Sequence, residues 1–182
     1  MAVLIEAFSV IVRVQAIRDK YFGGVKAFMD DIPNSTFCTD GSLGRVGFMS
    51  LDDAFFFSAE LMKKGLGSLR GDRENTDIAY AVQDVGLIDE CSWLVVERLS
   101  IDAHDHEVTA CSLVGESQQG LSVPKDWSYE QYASLTSVSE NEILSMAQEH
   151  DSAVLSLSVK DKTEEMYLGR TTLKTDKDEP LH

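Results

Sequence analysis

The start of the chain constrains its fold more than any other segment. Between residues 3 and 14, apolar side chains fill both parities. Leu4, Phe8, Val10, Val12 and Val14 occupy one, and Val3, Ile5, Ala7 and Ile11 the other. Successive side chains of a strand point to opposite faces. A strand that is apolar and β-branched on both faces has to be covered on both, so this run is expected near the centre of its sheet. It does not read as a leader: no basic segment precedes it, Glu6 interrupts it, and no small-residue cleavage site follows. It is also too short to span a bilayer.

Helix and strand signals alternate after it. Residues 19–31 carry Tyr21, Val25, Phe28 and Met29 at helical spacing, weakened by Gly23 and Gly24, and Pro33 stops them. Asp40 and Gly41 mark a turn, and residues 43–49 form a strand. Ser50 with Asp53 is an acid-for-Glu version of the capping box. It opens a helix with Phe55, Phe56, Phe57, Leu61 and Met62, closed by Lys63, Lys64 and Gly65. A polar loop over 67–77 precedes a strand at 78–85, and residues 93–101 and 108–114 read as a hairpin. Two further capping boxes, Ser128 with Gln131 and Ser139 with Glu142, open short helices. Strands are expected at 153–159 and 166–173. The class is α+β: a mixed β-sheet with helices packed mainly on one face, opening β-α-β-α-β-β-β. The domain reading is a principal domain over 1–115, a helical and hairpin extension over 116–173, and a frayed tail over 174–182.

Residues 33–57 (PNSTFCTDGSLGRVGFMSLDDAFFF), 77–86 (DIAYAVQDVG) and 91–93 (CSW) resemble a group of bacterial proteins known only as hypothetical. The resemblance spans about residues 3–115 and implies no activity.

Charge narrows the partners. Of 182 residues, 31 are acidic and 16 basic, a net charge of −15 at pH 7. The first fifty residues are neutral, with five acids and five bases, whereas Lys125 is the one base between Arg98 and Lys160. A chain this acidic repels phosphate, which argues against nucleic acid and against anionic membrane surfaces. Trp127, Tyr129, Glu130, Tyr132, Glu140 and Glu142 combine aromatic and acidic character, which suits a face for a basic protein partner. Cys38, Cys91 and Cys111 are odd in number and widely spaced, so reduced thiols in a cytoplasmic protein are expected. Asn34-Ser35-Thr36 is a glycosylation sequon by pattern.

Chemistry is sparsely signalled. No P-loop, GxGxxG fingerprint, GxSxG, HExxH or EF-hand pattern occurs, and no cofactor is expected. Glu6 and Glu97 fall on apolar strand parities, and with Arg45 and Trp93 they are candidates for a pocket suited to proton transfer or a ligand. Arg13 or Arg45 could instead pair with them. His104 and His106 on the hairpin tip, beside Asp102, Asp105 and Glu107, are a weak metal candidate. Cys38 and Cys91 would act as nucleophiles only if a histidine approached. The functional expectation is a non-catalytic acidic interaction protein, inhibitor- or immunity-like. The alternatives are a small-molecule sensor or hydrolase-like enzyme with a pocket over the sheet, or a homo-oligomer joined through its C-terminal hairpin.

Overall fold

A computed structural model of the protein describes residues 1–67, 76–88, 90–116 and 119–135. Its apolar beginning is two strands, β1 (Ala2–Leu4) and β2 (Phe8–Arg13). Between them Ala7 takes a φ of 52°, in the left-handed region that L-residues avoid. Two hydrogen bonds close the bend: the Glu6 amide donates to Ser9 Oγ, and Ser9 Oγ donates to the Glu6 carbonyl. The chain thereby leaves one sheet and enters another: Val3, Ile5 and Ile11 all face the space between the sheets, while Leu4 and Val10 face outward on opposite sides of the stack.

After β2 come two helices, α1 (Val14–Lys20) and α2 (Gly24–Asp31). The sequence suggested one helix here. Gly23 divides it: its φ is 87°, and a Cβ built on it would stand 2.6 Å from Ala27 Cβ. The chain continues through β3 (Cys38–Thr39), β4 (Leu43–Phe48), α3 (Leu51–Lys63), β5 (Ile78–Val82), β6 (Gly86–Leu87), β7 (Leu94–Ser100), β8 (Glu107–Leu113), β9 (Leu121–Ser122) and α4 (Tyr129–Ser134). Ser50 caps α3 by accepting the Asp53 amide, and Ser128 caps α4 by accepting the Gln131 amide, so both capping signals are realised.

The fold is α+β. Its strands divide between two sheets where the sequence suggested one. The five-stranded sheet runs β3-β4-β2-β5-β6 and is antiparallel throughout, with β2 in the middle. The four-stranded sheet runs β7-β8-β1-β9, and its β1–β9 pair is parallel. On one face of the five-stranded sheet, Phe8, Val10, Val46 and Tyr80 meet Ile17, Phe28, Phe55 and Leu61 of α1–α3. On its other face, Ile11, Leu43, Ala79 and Ala81 meet Val3, Ile5, Leu94 and Cys111 of the four-stranded sheet. The far face of that sheet carries Leu4 and Val108 beneath Tyr132 of α4. The double-sided apolar signal therefore holds for both halves of the N-terminal run, each half central to its own layers.

Gln83 and Thr109 tie the layers together. Gln83 is buried: its Oε1 accepts the Ala7 amide and its Nε2 donates to the Tyr132 carbonyl. Thr109 donates from Oγ1 to the Gln83 carbonyl, and the Thr109 amide donates to the Tyr132 hydroxyl. Asn34 is buried with Nδ2 on the Gly47 carbonyl, which removes it as a glycosylation acceptor in the folded chain. Among the described residues no helix is long and apolar enough to cross a membrane. The expected elements at 139–150, 153–159 and 166–173, and the tail, lie outside the described residues.

Candidate functional site

One end of the two-sheet stack holds a cleft of about 540 Å³. Small-molecule sites are typically of this size. The five-stranded side supplies Arg13, the last residue of β2, together with Gln15 and Arg18 of α1 and Gly41–Ser42 of the β3–β4 turn. The four-stranded side supplies Ser92 and Trp93, which precede β7, and Leu113 and Val114 at the end of β8. Backbone bonds fix both walls: the Val14 amide donates to the Ser42 carbonyl, and the Val114 amide donates to the Trp93 carbonyl.

The floor is organised by Asp77, whose side chain is fully buried. Its Oδ1 takes Arg13 Nη2 at 2.7 Å, and its Oδ2 takes Lys20 Nζ at 3.0 Å and the Gly67 amide at 2.8 Å. Burial alone would raise the carboxyl's pKa. The Gly67 amide, Lys20 and Arg13 outweigh burial and hold it below the usual carboxylate range. Arg13 Nη2 also donates to the Thr76 carbonyl. The Arg13 guanidinium lies 5.3 Å from the centre of the Trp93 ring, and Trp93 Nε1 donates to the same Thr76 carbonyl at 2.9 Å. A cation held over an indole is itself favourable, so Arg13 and Trp93 fix each other. Arg18 is exposed on α1, and no described residue pairs with it.

The sequence candidates distribute differently. Trp93 lies in the cleft. Arg13, considered as a partner for Glu6 or Glu97, pairs with Asp77 instead. Glu6 and Arg45 are fully buried. Both lie by Cys38, and Arg45 Nη2 donates to Cys38 Sγ at 3.5 Å. Burial pushes the Cys38 thiol up, Arg45 opposes the rise and Glu6 adds to it. These groups sit between the sheets, away from the cleft lining. Glu97 is exposed. It is opposite Ala110, which is also opposite Leu4, so it belongs to the outer face of the four-stranded sheet. Glu6 and Glu97 therefore do not share a pocket. β1 ends at Leu4, so Glu6 lies in the bend that follows and does not share Leu4's outward direction.

Burial also raises the thiol pKa values of Cys91 and Cys111, so none of the three thiols is activated toward nucleophilic attack. On the hairpin tip, His106 Nδ1 lies 2.7 Å from Asp102 Oδ2, and its ring stacks on Tyr129 with centroids 4.2 Å apart. His104 stands beside it, ring centroids 6.0 Å apart. Among the described residues no group of three or more His, Cys, Asp or Glu is placed to hold a metal. Of the aromatic and acidic candidates, Glu130 is exposed, Trp127 and Tyr129 are half-buried, and Tyr132 is buried as the pillar of α4. Glu140 and Glu142 lie outside the described residues, as does the C-terminal hairpin.

Sequence reasoning missed Arg18, Ser42, Ser92 and Asp77 as parts of one site. Asp77 stands directly before a strand and after a charged loop, a sign of a structural anchor, and Arg13 and Arg18 stand at the two ends of one short helix. Nothing local tells that residues 13, 42 and 93 meet. No protein-family model matches the chain, and comparison with curated proteins and with solved structures gives no match either.

Proposed function

We propose that the protein is a cytoplasmic small-molecule-binding protein whose ligand is an anion seated in the Arg13–Trp93 cleft. The observation that carries this reading is the Asp77-anchored guanidinium locked against an indole on the wall of a 540 Å³ cleft. Binding sites gain affinity when polar groups and rings are already held in place, because little freedom is lost on binding. The lining supplies two guanidinium groups, Arg13, whose charge is offset by Asp77, and Arg18, which no described residue pairs and which is left to meet an anion. A thermal-shift panel of small organic acids, inorganic phosphate and neutral amides tests it, run on the wild type and on Ser92→Trp. Ser92 is exposed on the lining, so the larger ring takes up cleft space without replacing any residue of the Asp77 cluster. Some of the acids should raise the melting temperature of the wild type and leave the variant unchanged. A panel without shifts, or with equal shifts in both proteins, refutes the reading.

A second reading, the acidic face for a basic protein partner, has its own support. The His106–Tyr129 stack joins the hairpin tip to α4. Asp102, Asp105, Glu107 and Glu130 are all exposed, with Glu107 lying 3.6 Å from Arg98. Localised charge of one sign speeds encounter with an oppositely charged partner. Titration with a lysine-rich peptide should show binding that weakens as salt rises and weakens further in Glu107→Gln/Glu130→Gln. Binding indifferent to both rules it out.

A further inference from the structure

We infer that the ligand class of this cleft is a small planar monocarboxylate, its ring against Trp93 and its carboxylate on Arg18. The inference rests on the reading of the cleft as an anion site and adds which anion it takes. The two arginines of the lining are not equivalent. Arg13 is committed: Asp77 and the Thr76 carbonyl hold its Nη2, and its charge is offset by Asp77. Arg18 has no described partner. An uncommitted guanidinium presents a planar fork of donors that matches the two oxygens of a carboxylate.

The aromatic element is equally specific. Trp93 is held through its Nε1 and by Arg13, so it meets a ligand as a fixed ring. Leu113 and Val114, the latter 54% exposed, continue the apolar wall beside it. A flat ring gains from offset stacking that a puckered one cannot match.

Charge sets the upper limit on the ligand. Asp19 is held by Gln15 of the lining, and Glu116 accepts from Ser42 Oγ at 2.7 Å. These two carboxylates border the cleft, and the whole chain adds its net −15. One negative charge in direct contact with Arg18 is favoured. Each additional charge on the ligand meets these acids with no further uncommitted guanidinium on the lining to answer it.

Isothermal titration with four probes tests this: benzoate, its neutral analogue benzamide, the non-planar cyclohexanecarboxylate, and ATP as a polyanion. Benzoate should bind best. Benzamide should be weaker by about tenfold or more, the loss expected for a charge-assisted pair. Cyclohexanecarboxylate should be several-fold weaker, and ATP should give no heat. Arg18→Gln should weaken benzoate by about tenfold with an unchanged melting temperature, and Arg18→Lys should recover part of the loss. Benzamide binding as well as benzoate, ATP binding more tightly, or no benzoate binding at millimolar concentration each overturns the monocarboxylate inference. If phosphate or another acid still protects the wild type but not Ser92→Trp, the anion-cleft reading survives that failure. If nothing does, both fall.

Discussion

At the scale of single residues, Asp77 does the most. One fully buried carboxylate receives Arg13 from β2, Lys20 from α1 and the Gly67 amide beyond α3. Its two cationic partners are partly exposed, with side chains 33% and 48% accessible, so water takes part of each ion pair and the Coulomb energy is reduced accordingly. The carboxylate itself has no water, so its removal leaves the amide and both cations poorly matched. Asp77→Asn should lower stability in urea at neutral pH by about 2 kcal/mol, less than the loss of a wholly buried pair. The linkage has a definite sign. A carboxylate whose pKa is depressed in the folded state stabilises above its unfolded value and loses that contribution as pH falls through the folded one. The gap between wild type and Asp77→Asn should therefore be constant from neutral pH to about 5 and narrow once pH drops below about 4. A gap that widened in acid would remove Asp77 as the anchor. Because Arg13 and Trp93 are held through this cluster, the same variant should also loosen the Trp93 ring, seen as a change in its fluorescence.

At the scale of elements, the bend at Ala7 decides the architecture. A β-branched residue there would raise strand propensity on paper. The observed φ of 52° is costly for any residue with a Cβ and worst for a branched one. Ala7→Val should destabilise by about 1–3 kcal/mol in chemical denaturation. Stabilisation would mean that the strand prefers to run straight through. The capped helix is the complementary case. Ser50 is buried and its Oγ takes the Asp53 amide at 3.1 Å, so Ser50→Ala should cost about 1 kcal/mol. Loss of less than a few tenths would show that the cap is idle. These two sites also show what the sequence could and could not reveal. Ser50 was legible because capping is a local grammar of residues three apart, and the β7–β8 hairpin was legible because its strands are neighbours in the chain. The bend was not legible. Residues 3–14 alternate without a glycine or proline, and an alanine in the left-handed region leaves no compositional mark. The cleft was half legible. An indole at a strand start is visible as a candidate, but Asp77 reaches Arg13 across 64 positions through the pairing of β2 with β5, and Trp93 joins them from the other sheet. Glu6 and Glu97 failed as a pair for the same reason: parity arguments hold within one strand, and here the strand stops between Leu4 and Phe8.

At the scale of the whole molecule, the dominant quantity is charge. Among the described residues Glu6, Arg45 and Asp77 are the buried charged side chains and the rest are partly or fully exposed, so the excess acid in a chain of net −15 works against compactness. Salt acts on this in two opposed ways. It weakens exposed ion pairs such as Lys26–Asp30 and Lys63–Glu60, which water already screens to small contributions. It also screens the mutual repulsion of the excess acids, which extends over many residues. The Debye length falls from about 30 Å at 0.01 M to about 8 Å at 0.15 M, so long-range repulsion is lost over this range while contacts a few ångströms apart are reduced far less. Repulsion therefore decides the sign. Raising sodium chloride from 0.01 to 0.15 M should increase the urea midpoint at neutral pH, and sucrose at equal osmolality separates this effect from solute exclusion. Asp77→Asn should show the same increase, since its cluster is buried and short-range. A midpoint that fell with salt would mean that the surface pairs outweigh the net charge. The acids would then be compensated locally instead of forming an open field, and the acidic-face reading would lose its physical basis.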